Sequence, residues 1–168
     1  FPASIGASLV KNKKRIICID GDGSIQINIQ ELQTMVFNKL PIKLIILNNK
    51  GYGIIKQFQE LYLNQTFEAV DKNKGVSNPS FQKIAKGYQI NYSYIKNNQS
   101  IKKILKKALK SKYPEIIEVN IKNDQKIIPK LAFGNPLEDL SPLLKRAELK
   151  ENMIIPIISK NKNINESN

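Results

Sequence analysis

The sequence predicts an α/β fold: a parallel sheet with helices on both faces, followed by an extended C-terminal tail. Three observations carry this expectation. Apolar, β-branched runs at Ile16–Ile19, Leu44–Leu47 and Ile116–Ile121 read as buried strands. Segments with helical spacing separate them, so strand and helix alternate as they do around parallel sheets. The first two runs each end in a polar cluster, Gly21-Asp22-Gly23-Ser24 and Asn48-Asn49.

The elements follow in order. Pro2 to Val10, with Ala3, Ile5, Ala7 and Leu9, reads as the body of a small-residue helix. Ile29, Leu32, Met35, Val36 and Leu40 give a helical face between the first two strands. Asn78 reads as a helix cap with Pro79 at the first helical position, opening a helix with Phe81, Ile84, Ala85 and Tyr88 on one face. Tyr92–Ile95 is a short strand. Ile101, Ile104, Leu105, Ala108 and Leu109 then recur at helical spacing, with Lys102, Lys103, Lys106, Lys107 and Lys110 opposite. Such a basic amphipathic helix packs on a sheet with a wet outer face more readily than on a membrane.

From Lys122 onward, Pro129, Pro136, Pro142 and Pro156 punctuate the chain. The expected division is a core domain at 1–122 and an extended tail at 123–168, with Lys160 to Asn168 polar enough for disorder. Asn135 to Leu143 reads as an extended arm, with Leu149, Met153, Ile154 and Ile155 as docking residues.

If the first two strands are parallel neighbours, their polar clusters open onto one crevice at the carboxyl ends. Such a point suits a hard cation and a phosphate. Asp22 offers a carboxylate oxygen, Asn49 an amide oxygen and Gly51 a backbone carbonyl, the oxygen set that magnesium completes with phosphate and water. Gly23 and Ser24 lead toward the helix, where their N–H groups can face an anion. Asp22 alone would repel a diphosphate, so the cation belongs to the logic of the site. A plainer account treats the glycines as a turn, Asp22 as a cap and the asparagines as another turn. It leaves unexplained why all of them fall at matching strand ends.

Gly21-Asp22-Gly23-Ser24 followed by Asn48-Asn49 resembles the cofactor motif of thiamine-diphosphate enzymes. The stretches Phe1 to Ala7, Asn28-Ile29-Gln30-Glu31-Leu32, Leu47-Asn48-Asn49 and Gln57 to Tyr62 narrow the likeness to the carboxyl-terminal domain of acetolactate synthases and their relatives. It continues through Asn78-Pro79-Ser80-Phe81 and Ile84-Ala85 to the strand near Ile116–Ile121. The resemblance implies thiamine diphosphate and Mg2+ as cofactors. Gly21, Asp22, Gly23, Ser24, Asn49, Gly51, Tyr52 and Gly53 would bind the cofactor, and Asp22, Asn49 and Gly51 the metal. It also implies a 2-oxo acid substrate, a homo-oligomer and a separate pyrimidine-binding domain whose glutamate activates the cofactor. No residue here matches that glutamate; Glu31, in the helix after the motif, reads as structural. The chain, which opens on Phe1, reads as a piece of a larger enzyme and by itself as half an active site. Ile54 and Ile55 are candidate substrate-side residues, and Ile55 stands where decarboxylases of the pyruvate type carry a catalytic glutamate. That departure points to carboligation, although packing alone would also explain an isoleucine.

Composition narrows the function classes. The formal charge of +13 comes from an excess of lysine, with Arg15 and Arg146 the only arginines. The lysines are dispersed and no aromatic cluster interleaves with them, so a solvated surface is expected and no nucleic acid. The absence of histidine excludes His-based triads and zinc–histidine sites. Cys18, the single cysteine, falls in a buried strand as a core thiol. No apolar run approaches the ~20 residues of a membrane span, and no signal-peptide pattern is visible; a cytoplasmic enzyme is expected. Two other readings stand beside the carboligase: the subunit of a split 2-oxo acid decarboxylase, and a non-catalytic basic module binding nucleotides or nucleic acid.

Overall fold

Four parallel strands form the centre of the structure, a computed structural model that describes residues 1–158. In chain order the first unit comprises α1 (Pro2–Val10), β1 (Ile17–Gly21), a 3-10 turn (Ile25–Asn28), α2 (Glu31–Phe37), β2 (Lys43–Asn48) and α3 (Gly53–Tyr62). A second 3-10 turn (Lys72–Lys74), α4 (Phe81–Gly87), β3 (Asn91–Ile95), α5 (Asn98–Lys110) and β4 (Glu115–Asn120) complete it. This unit spans Phe1–Gln125. The strand order is β1-β2-β4-β3, with every neighbouring pair parallel.

That order dictates where the helices lie. The connections from β1 to β2 and from β2 to β3 run in one direction across the sheet, whereas β3 to β4 runs back. With right-handed crossovers, the returning helix must lie on the opposite face. Accordingly α1, α2 and α4 share one layer, in which Ile5, Leu32, Met35, Phe81 and Ala85 pack against Leu44, Ile46 and Ile116. Helix α5 covers the other face, where Ile101, Ile104, Leu105 and Ala108 meet Ile45, Ile117 and Val119. The expected helical face of α5 is therefore the packed one, and its lysines point away from the sheet. The central strand β2 sends side chains into both layers, which explains its uninterrupted apolar run. On edge strand β1, half-buried Cys18 packs into the first layer, while Ile17 and Ile19 on the other face stay exposed.

The amino-terminal end of the sheet is closed by a buried ion pair. Lys43, fully buried, lies 3.6 Å from the Glu115 carboxylate and donates to the Tyr113 carbonyl at 2.6 Å. The other Glu115 oxygen accepts from the Ser93 hydroxyl at 2.6 Å. Burial holds the Lys43 ammonium below its usual range, and the Glu115 carboxylate pulls it back up.

Residues from Lys126 onward form a second unit. Two-residue strands β5 (Lys130–Leu131) and β6 (Leu140–Ser141) pair antiparallel, and α6 (Arg146–Asn152) follows. Buried Asp139 is held by Arg146, and Leu149 is buried where docking was expected, while Ile154 and Ile155 are exposed. The expected extended arm thus contains the second strand of a short hairpin, and a helix follows it. The disorder expected at Lys160 to Asn168 lies outside the described residues. Among the described residues no helix is long and apolar enough to cross a membrane.

Removing one member of a buried ion pair strands the other's charge, at a cost of about 3 kcal/mol or more. Glu115→Ala is therefore expected to lower unfolding stability by about that amount in urea titrations. Glu115→Ala with Lys43→Met, which removes both charges, is expected to recover a large part of it.

Candidate functional site

The carboxyl ends of β1 and β2 lie side by side, joined by the Asp22 N–H donating to the Leu47 carbonyl at 3.3 Å. Register does this: Gly21 pairs with Leu47, so the residues that follow each strand meet. Asp22 lies at the centre and is only 2% exposed. Its Oδ1 accepts from the Gly23 N–H at 3.1 Å, and its Oδ2 from the Gly51 N–H at 3.1 Å and from the Asn78 amide. Burial pushes the Asp22 carboxyl above its usual range, against the pull of the Gly51, Gly23 and Lys50 N–H groups and the Asn78 amide.

The Asn49 amide completes the cluster. Its near atom lies 3.1 Å from Asp22 Oδ1 and 2.6 Å from the Gly51 carbonyl oxygen. With the amide nitrogen in that place, Asn49 donates to both oxygens. With the amide oxygen there, it stands 3.1 and 2.6 Å from two further oxygens, separations either side of the edge of a magnesium octahedron, about 2.9 Å for bonds of 2.0–2.1 Å. Buried carboxylates are ordinarily paired with a cation or coordinate one. Among the described residues no lysine or arginine pairs with Asp22. Nor do the described residues hold a cluster of three or more His, Cys, Asp or Glu, so a cation here draws on amide and carbonyl oxygens. The donor set fits a hard cation.

The two adjacent asparagines divide the work. Asn48 turns away: its amide donates to Glu118 Oε1 at 2.7 Å, and its Oδ1 accepts the Lys50 N–H at 3.0 Å. Tyr92 donates to the other Glu118 oxygen at 2.6 Å. Burial, with the Glu118 carboxylate next, drives the Tyr92 phenol well above its usual range. Three strands thereby fix the turn that carries Lys50 in the left-handed region, at φ 63°, and aim Asn49 at Asp22. Gly51 then forms a bridge with Asp71, and a Cβ on Gly51 would lie 2.1 Å from the Val70 carbonyl oxygen. Only glycine fits so close a backbone approach. The Tyr52 ring lies over Gly23, 2.3 Å from where a Cβ would stand. A hollow beside the cluster is lined by Asn49, Gly51, Gly53, Lys56 and Asp71, with Lys56 paired to Asp71 at 3.2 Å.

The structure thus brings together Gly21, Asp22, Gly23, Asn49, Gly51 and Tyr52. Ser24 is exposed, and the Gly23 N–H is engaged by Asp22 rather than turned outward to an anion. Ile54 and Ile55 lie in the first turn of α3, which starts at Gly53, and are 62% and 44% exposed. Asn78 is not a helix cap. Ser80 caps α4 by accepting from the Lys83 N–H, and Asn78 reaches across to Asp22 instead. Gln26 joins it, donating to Asn78 Oδ1 at 2.8 Å and to the Asp22 carbonyl at 3.0 Å. Neither was visible as a site residue. The signal was two capping residues flanking Pro79, of which a helix uses one and leaves the other free for different work.

Residues 1–119 match the family described as thiamine pyrophosphate enzyme, C-terminal TPP binding domain. The acetolactate synthase large subunit of Porphyra purpurea is 33% identical over 134 residues, covering 80% of this chain and 22% of that protein. The acetolactate synthase of Arthrospira platensis is 32% identical over 143 residues, covering 85% of this chain and 24% of that protein. Among solved structures, the thiamine diphosphate-dependent 4-hydroxybenzoylformate decarboxylase of Rhodococcus jostii RHA1 superposes with a TM-score of 0.65 at 29% identity, covering 73% of this chain and 22% of that one. The chain thus spans roughly a quarter of the length of these relatives. By sequence and by fold, the chain belongs to the C-terminal, thiamine-pyrophosphate-binding domain family of thiamine pyrophosphate enzymes.

Proposed function

We propose that this chain is the diphosphate- and magnesium-binding domain of a thiamine-diphosphate-dependent carboligase acting on a 2-oxo acid, of the acetolactate synthase kind. The observation that carries this reading is the buried Asp22 carboxylate, paired with no lysine or arginine among the described residues and beside an Asn49 amide that also touches the Gly51 carbonyl. Asp22, Asn49 and Gly51 hold the metal. Gly21, Gly23, Ser24, Tyr52 and Gly53 border the diphosphate. When bound, thiamine diphosphate supplies the electron sink for decarboxylation. The domain binds its anionic end, orients it through the fixed turn at Asn48–Gly51, and excludes water from Asp22.

A second domain supplies the activating acid in this reading. The exposed apolar residues of α3 beside the site, Ile54, Ile55 and Leu61, support a covering partner. We place the assembled enzyme in the cytoplasm as a homo-oligomer. A decarboxylase is the second reading, favoured by the structural likeness to the Rhodococcus jostii 4-hydroxybenzoylformate decarboxylase.

In the complete enzyme, Asp22→Ala is expected to abolish magnesium-dependent binding of thiamine diphosphate in calorimetric titration. Circular dichroism should show the fold retained, because the site lies at strand ends. Asn49→Ala should weaken binding in the same way. Unchanged cofactor affinity in Asp22→Ala would sink the assignment.

Ile55 bears on the outcome of the reaction. An acid at this place can protonate the decarboxylated fragment before an acceptor arrives, and general acid catalysis is typically worth on the order of a hundredfold. Ile55→Glu is therefore expected to shift product from the carboligated hydroxyketone toward free aldehyde, with cofactor affinity little changed. Product analysis normalised to bound cofactor reads this directly. A wild type that already releases mainly aldehyde would replace the carboligase with the decarboxylase.

A further inference from the structure

The carboxylate of Asp22 presents two unlike oxygens. Oδ2 takes the Gly51 N–H at 3.1 Å and the Asn78 amide, so the lone pairs of that oxygen are committed to protein donors. Oδ1 takes the Gly23 N–H and otherwise meets the Asn49 amide at 3.1 Å, which either donates to it or turns its own oxygen toward a shared cation. The side chain of Asn78 cannot be reversed without loss. Gln26 donates through one nitrogen to both Asn78 Oδ1, at 2.8 Å, and the Asp22 carbonyl, at 3.0 Å. Asn78 Oδ1 therefore points to Gln26, and its NH2 to a carboxylate that only accepts. The residue is also held from behind, because Ser80 caps α4 and Phe81 is 1% exposed in the core.

We propose that Asn78 is a positioning residue of the cation site: with Gln26 behind it, it withholds Asp22 Oδ2 from the metal and so favours magnesium over calcium. This rests on the cation reading given above. The physical reason is the difference in coordination. Magnesium demands near-ideal octahedral geometry and takes a carboxylate through one oxygen, whereas calcium accepts six to eight oxygens and can also take a carboxylate through both. A carboxylate with one oxygen locked offers the first mode and denies the second. Partners behind a ligand commonly matter this much, their loss costing roughly 10- to 100-fold in metal affinity.

The test uses the complete enzyme, stripped of metal and supplied with thiamine diphosphate. MgCl2 and CaCl2 are titrated separately, and cofactor binding is followed by calorimetry in wild type, Asn78→Ala and Gln26→Met. Asn78→Ala is expected to lower magnesium affinity by roughly 10- to 100-fold. Calcium should lose much less, so that the ratio of the two affinities falls by about tenfold. Gln26→Met, which keeps the Asn78 amide but frees its orientation, should move the ratio the same way by a smaller factor. Equal losses for both ions would mean a merely structural role and overturn the proposal, as would an unchanged ratio. If Asn78→Ala does not fold, an unchanged ratio in Gln26→Met overturns it. Cofactor binding in wild type that depends on neither ion would overturn this proposal and the cation reading together, and it is seen before any variant is compared.

Discussion

A carboxylate buried with no lysine or arginine paired to it among the described residues is an expensive thing to build, and the loops of the first unit are arranged around that one group. Asp22 follows β1, Asn49 and Gly51 follow β2, and Asn78 arrives from the long connection between α3 and α4. Each contributes an N–H or an amide, and together these partly offset the loss of water. They do not cancel it, since the net effect of the surroundings still raises the pKa of the group. A structure that packs amide dipoles around a carboxylate yet brings no lysine to it has left room for a positive charge from elsewhere.

The opposite end of the same sheet meets the same difficulty in another way. There Glu115 is buried too, but Lys43 lies in register with it on the neighbouring strand. The pair is closed, and Tyr113 and Ser93 add a hydrogen bond to each partner. Parallel strands make the contrast possible, since all amino ends gather on one side and all carboxyl ends on the other. One side is sealed by an ion pair within the protein, and the other is left with an unbalanced charge. In the function proposed above, the unbalanced end is the one that binds.

Local pattern carried much of this information. The strands were legible because buried parallel strands are continuous apolar runs, and α5 because its isoleucines, leucine and alanine keep the helical period. Asp22, Asn49 and Gly51 were legible because turn residues at matching strand ends must meet in a parallel sheet. Asn78 and Gln26 were not, since they act across 52 and 56 residues of sequence through a connection with little regular structure. Periodicity carries no signal for such contacts, and Asn78 next to Pro79 has an ordinary local explanation as a cap. The difference between Asn48 and Asn49 was hidden for a similar reason: Glu118, 70 residues away in sequence, decides which of them turns inward.

The same distinction separates what the fold constrains from what it leaves to chemistry. Gly51 is fixed in identity, because the Val70 carbonyl oxygen occupies the space a side chain would need. Lys50 and Asn48 are held by the turn they make, and Asn78 by the amide ring around Asp22. Ile54 and Ile55, only three and four residues beyond Gly51, lie in the first turn of α3 with much of their surface exposed, so packing within the unit constrains their type less. Side chains there can change without disturbing the cation site, because the backbone that carries them is already anchored at Gly51 and Asp71. In the function proposed above, binding of the anionic end and choice of reaction outcome fall to adjacent stretches of chain. A family built on this domain can keep the first while varying the second.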